Sequence, residues 1–268
     1  MKVRMYNVGF GDCFCLRDRK KSLLVDFGTN NSRIEGRPRR EIFDVIISDL
    51  STIKSKNLLL THFHMDHLSG LLYMMKKKDI SVDFGKIYLP DVFSKKEMSR
   101  TLVLLLLADL LKESGLPSRQ VSLFALVDAL LENKQNVELL SRGKLFENKY
   151  QALWPDTDVI RKETDEVYNR ICEDGKFKEV MDVLLEFAEK LRLIVWSMTA
   201  EGNKPAETVE KETDLTASEL TEQPEVRQKI IRAYVYEREF RRIKALPDYK
   251  KLLAWQNENQ ITQRQFKH

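Results

Sequence analysis

Residues 61–67, Thr-His-Phe-His-Met-Asp-His, place three imidazoles and one carboxylate within six positions, directly after the apolar run Leu58-Leu59-Leu60. Neutral imidazole and carboxylate bind zinc, manganese or iron without being redox-labile themselves. The spacing assigns them roles. His62 and His64, two apart at the end of a strand, project to the same side and grip one ion. Asp66 and His67, one turn further on, reach a second ion beside it. Asp66 is also expected to be catalytic, orienting the attacking water. The chain has four histidines in all, so finding three in one stretch disfavours a polar loop that holds them by chance. The expectation is a divalent-metal site, zinc foremost, with up to two ions; manganese or iron suits the same donors.

The pattern His-x-His-x-Asp-His after a hydrophobic strand resembles the signature of the metallo-β-lactamase-fold hydrolases. Leu23-Leu24-Val25-Asp26-Phe27-Gly28 resembles the strand-Asp-Gly element that precedes the metal loop in that family. Tyr6-Asn7-Val8-Gly9-Phe10-Gly11-Asp12 is similar to the first hairpin of the competence-type DNA-uptake branch. These three elements cover about the first 90 residues. The resemblance implies an α/β fold, a metallo-β-lactamase-like αββα sandwich with helical insertions and an incomplete C-terminal half. It implies metal-dependent hydrolysis, directed at a phosphodiester or nucleic acid. It also makes Asp26 the carboxylate that orients a ligand histidine from behind.

The elements that must position these residues are readable from patterning. Val3 to Val8 alternates as a first strand, the glycines around Phe10 make a turn, and Cys13 to Leu16 and Leu23 to Phe27 follow as strands. Residues 30–40 form a polar loop with Arg33, Arg37, Arg39 and Arg40, more simply a solvated loop than an anion site. Ile42, Phe43, Val45, Ile46, Ile47 and Leu50 recur at helical spacing over 41–53. A buried strand over 57–60 then delivers the metal loop. A helix over 68–78, with Asp66 expected to cap its N-terminus, and a strand over 86–89 come next. This order argues for a metal loop at the C-terminal end of a strand in an α/β sandwich.

Further domains are expected along the chain. Residues 1–156 are read as the core, with a helical hairpin over 94–134 broken at Gly115-Leu116-Pro117. Strand character returns over 137–146 and 150–154, before Pro155. Residues 157–200 are a helical insertion, with a helix over 163–198. Residues 201–224, poor in large apolar groups and rich in Glu, Thr and Ser, read as an acidic linker. Residues 225–268 are a basic helical segment offering a surface for a protein partner. Its Arg and Lys alternate with Tyr234, Tyr236 and Phe240, but Glu237 and Glu239 dilute a nucleic-acid patch.

A length of 268 residues suffices for one sizeable core plus an appendage, and 43% hydrophobic with 32% charged residues suits a globular protein. The net charge of +4 is too slight to identify a partner. The longest apolar run, 102–108, is too short to span a bilayer. Three cysteines, Cys13, Cys15 and Cys172, without a visible secretory signal point to the cytoplasm; Cys13 and Cys15 read as small buried residues.

After His67 no histidine appears until His268, and Asp156 and Asp158 come too early to match the family's bridging aspartate. Three explanations follow: a fragment whose remaining ligands lie beyond His268, a degenerate fold kept as a binding or regulatory module, or a site completed by other carboxylates or a partner chain.

Overall fold

The computed structural model describes residues 1–18, 21–77, 83–111, 123–133, 135–173 and 178–199. The expected acidic linker over 201–224, the basic segment over 225–268 and the break at 115–117 lie outside the described residues. The chain divides into two compact units, residues 1–90 with 117–138, and residues 91–116 with 139–268.

The first unit is built on a mixed sheet. Lys2–Met5 (β1), Phe14–Asp18 (β2) and Lys21–Val25 (β3) form an antiparallel meander. The ribbon Arg33–Ile34 (β4) and Arg37–Pro38 (β5) leads into helix Arg39–Ser51 (α1). Lys56–Leu59 (β6) follows, then helix Met65–Lys76 (α2) and Ile87–Pro90 (β7). β3 pairs with β6, and β6 with β7, in parallel. The sheet order is β1-β2-β3-β6-β7, with Val137–Leu140 (β8) entering as the last strand.

Burial follows from the pleat. The register aligns Cys15, Leu24, Leu58 and Ile87 across four strands, and all four are fully buried. Side chains in one such row share a face, and α1 supplies a matching stripe. Its Ile42, Phe43, Ile46, Ile47 and Leu50 are buried at helical spacing, as the sequence predicts, whereas Val45 of the expected stripe is exposed; Phe43 packs edge-on against Phe27 with centroids 5.3 Å apart. At the sheet margin Asp49 of α1 accepts hydrogen bonds from Arg4, Arg17 and the Tyr6 hydroxyl, the arginines at 2.7 and 2.9 Å. Cys13 and Cys15 are buried and unbridged; burial holds the Cys13 thiol well above its usual range. Both are packing residues.

In the second unit, Ser99–Leu111 (α3), Thr157–Glu173 (α5) and Lys178–Ser197 (α6) pack together, α4 being Leu123–Glu132 of the first unit. Leu102, Val103 and Leu106 of α3 and Leu184, Phe187, Leu191 and Ile194 of α6 are buried. The helix expected over 163–198 is helical over Thr157–Glu173 and Lys178–Ser197, and residues 174–177 lie outside the described set. The strand expected over 137–146 stops at Leu140. Gly143, at φ 88°, turns the chain, and a short ribbon of Leu145–Phe146 (β9) and Tyr150–Gln151 (β10) follows. Among the described residues no helix is long and apolar enough to cross a membrane.

Leu58 sits at the centre of β6 with no solvent exposure. Leu58→Ala is expected to lower stability by roughly 2–5 kcal/mol, the range for a large-to-small core change, read as a lower urea midpoint by circular dichroism.

Candidate metal centre

Two parallel strands bring the site together. Val25 of β3 lies opposite Leu59 of β6, so the residues following each strand emerge side by side at the carboxyl edge of the sheet, where α/β folds bind ligands. The Asp26 amide donates to the Leu59 carbonyl at 2.8 Å. Asp26 then turns through φ 55°, a conformation that aspartate tolerates better than most non-glycine residues. Its carboxylate is almost wholly buried, at 3% exposure, and accepts three hydrogen bonds. The Thr61 amide reaches Oδ1 at 2.8 Å, the Thr61 hydroxyl reaches Oδ2 at 2.7 Å, and His67 Nδ1 reaches Oδ2 at 2.9 Å.

The loop between β6 and α2 carries the histidines. α2 begins at Met65 with His64 in the cap position and no side-chain cap bond. The expected capping role of Asp66 is therefore not found. Asp66 lies within the first turn, where its negative charge still suits the helix N-terminus, and its carboxylate faces the histidines. One donor atom from each of His62, Asp66 and His67 lies within 4.8 Å of the other two. His67 Nε2 is 3.9 Å from Asp66 Oδ2, and the His62 and His67 ring centroids are 3.7 Å apart. His64 stands beside His62, centroids 4.7 Å apart, but outside the converging set. The stretch thus brings together His62, Asp66 and His67, whereas spacing alone paired His62 with His64 and Asp66 with His67.

The donor chemistry fits a divalent cation. Asp66 Oδ1 is buried without a hydrogen-bond partner, and a buried carboxylate oxygen left unpaired is costly unless a ligand satisfies it. Two imidazoles and a carboxylate match the protein-donor number of a catalytic metal site. Electrostatics separates the histidines. Burial works against charge on His67, but the hydrogen bond to Asp26 and the negative charges of Asp26, Asp66 and Asp12 outweigh it, raising its pKa above the usual imidazole value. Burial and the neighbouring His67 lower that of His62.

Two features were not assigned roles from sequence. Asp12 approaches the centre, its Oδ2 3.6 Å from His67 Nδ1; its only sequence signal is its place in the glycine turn. The second feature is how that turn is fastened to the metal loop. Asp12 N–H donates to the Asp66 carbonyl, Gly28 N–H to the Asp12 carbonyl and Phe27 N–H to the His67 carbonyl, at 3.2, 3.2 and 2.7 Å. A Cβ on Gly28 would fall 2.6 Å from Leu68 N, and one on Gly11 would fall 2.7 Å from Thr29 Cα and 2.8 Å from Asp66 O. Only glycine allows backbone to approach so closely. The glycines of the two flanking motifs exist to let three loops touch. Asp156 has a different employment: its Oδ1 accepts from the amides of Asp158 and Val159 at the start of α5, and Oδ2 pairs with Arg142 at 2.9 Å.

Gly28→Ala is expected to displace the 66–68 backbone, costing roughly 1–3 kcal/mol as an overpacking change and weakening metal uptake, both measurable by denaturation and chelator competition. In an NMR pH titration of the metal-free chain, His67 is expected to titrate above the ordinary imidazole value and His62 below it. Asp26→Asn should bring His67 down, because it removes the anionic acceptor that favours the protonated ring.

Comparison with known proteins agrees with this geometry. Residues 6–91 match the model of the metallo-beta-lactamase superfamily. Endoribonuclease YSH1 of Mycosarcoma maydis is 32% identical over 77 residues, which are 29% of this chain and 8% of that protein. The chain thus covers a small part of that relative's length. No solved structure matches the chain. The matched segment holds β2 and β3, the parallel crossover and every residue of the donor cluster, so the N-terminal part of this chain is a metallo-β-lactamase-fold domain.

Proposed function

We propose that the chain is a metal-dependent hydrolase acting on a phosphodiester, with nucleic acid as the substrate class. The observation that carries the reading is the convergence of His62, Asp66 and His67 with the buried, unpartnered Asp66 Oδ1. His62, Asp66 and His67 would hold the ion, zinc foremost, and His64 stands by for a second. When bound, a divalent ion in such a site activates water near neutral pH and polarises the phosphoryl oxygens. The chain's own residues do the rest. Asp26 holds His67 in place, Asp66 offers a carboxylate oxygen to orient the attacking water, and the walls built by residues 9–12 and 28–29 fix the loop.

The substrate class draws on the name of the fungal endoribonuclease and on the likeness of residues 6–12 to the competence-type branch. The exposed Arg37, Arg39 and Arg40 offer counter-charge to phosphate. Three free cysteines favour a reducing, cytoplasmic setting. A second reading, a metal-poor binding or regulatory module, is favoured by the histidine count, since His268 is the only histidine after His67.

The deciding measurement is metal content of the purified chain together with turnover of a chromogenic phosphodiester in added zinc or manganese. The hydrolase binds metal stoichiometrically and turns over. His67→Ala should lose metal and reduce turnover by on the order of 100-fold or more, in line with removing a group worth several kcal/mol of charge stabilisation. A chain that takes up no metal and shows no turnover supports the binding module or a fragment whose further ligands lie elsewhere. Parallel His64→Ala measurements test the second ion: a fall from two equivalents to one supports it.

A further inference from the structure

Thr61 stands at the join of β6 and the metal loop, and its single hydroxyl proton is in demand from two sides. Oγ1 lies 2.7 Å from Asp26 Oδ2 and 3.0 Å from His62 Nδ1. A carboxylate that already receives the Thr61 amide and His67 Nδ1 is an acceptor and has no proton to return. The hydroxyl proton therefore belongs to Asp26. Oγ1 is left with its lone pairs toward His62, and the 3.0 Å contact is a hydrogen bond only if His62 Nδ1 carries a proton. A neutral imidazole carries one N–H, so His62 Nε2 is then the bare nitrogen.

We infer that Thr61 is a positioning residue that relays the orientation of Asp26 to His62, selecting the Nδ1–H tautomer and leaving Nε2 free as the metal donor. One buried carboxylate thereby sets two histidines, His67 by direct contact and His62 through the threonine hydroxyl. The tautomer of a metal-bound histidine is set by the bond its other nitrogen makes. Here the two partners differ in kind, an anion for His67 and a neutral hydroxyl for His62. The two rings, 3.7 Å apart, would otherwise be free to present a proton to the same space. The inference rests on the reading of His62 as a metal ligand for its consequence, but not for the tautomer itself.

The test uses the full-length chain with 15N-labelled histidine, stripped of metal by chelator. Long-range nitrogen–proton correlation spectra in the neutral range are expected to show His62 as the Nδ1–H tautomer in the wild type. Thr61→Val keeps the shape and removes the hydroxyl. It should move His62 toward the Nε2–H form and weaken zinc affinity, measured by competition with a chromophoric chelator, by roughly 10–100-fold, the usual cost of losing such a supporting bond. Thr61→Ser should restore both. A wild-type His62 protonated on Nε2 overturns the inference without any variant, which covers a Thr61→Val chain that fails to fold. So does a folded Thr61→Val chain with unchanged tautomer and zinc affinity. A wild type that binds no zinc but holds His62 as Nδ1–H sinks the hydrolase reading and leaves the relay standing.

Discussion

The structure of the site depends on one buried carboxylate. Asp26 is 3% exposed, and an ionised group at that depth is tolerated only when its oxygens are satisfied. All three of its hydrogen bonds come from the stretch it organises: two from Thr61 and one from His67. The polypeptide reaches this arrangement because β3 and β6 are parallel neighbours in a register that ends Val25 against Leu59. A slip of one residue would turn Asp26 to the other face and leave the histidine loop without its anchor. The sheet's register and the metal loop's geometry are therefore one constraint.

A second layer of support is backbone against backbone. The turn over 9–12, the strand exit over 26–29 and the start of α2 exchange amide hydrogen bonds, and there is no room for a side chain at Gly11 or Gly28. Such contacts satisfy polar groups that a loop buried beside a helix terminus would otherwise leave unpaired. They also hold the histidines without relying on the ion, so the donor set is assembled in advance, which reduces the ordering cost of binding.

The second unit follows a different logic. Its helices are joined by leucine-rich faces and by surface pairs such as Arg100 with Asp165 at 2.9 Å, half-exposed and worth little individually. Asp156 is committed to the start of α5 and to pairing with Arg142. The chemistry in the described residues is concentrated in the first unit.

Much of this was legible in sequence, for physical reasons that can be named. Three histidines and an aspartate in seven residues mark a candidate metal site because no packing role calls for them there. The apolar runs at 23–25 and 58–60 declare buried strands, and the stripe from Ile42 to Leu50 declares a helix on the sheet. These are local properties, written in residue type and spacing. Which donors converge is not local. Spacing in a strand pairs His62 with His64, but the chain leaves the strand at Leu59 and enters α2 at Met65, so the alternation ends before the histidines do. Their partners are then decided by long-range neighbours: Asp26, Asp12 and Phe27 lie far away in the chain. The relay through Thr61 was likewise invisible, since a threonine before a histidine carries no signal until a strand from elsewhere sets a carboxylate beside it. Residue chemistry alone marked out a candidate metal site. Only the tertiary structure decided which atoms form it, because hydrogen-bond partners are chosen by proximity in space.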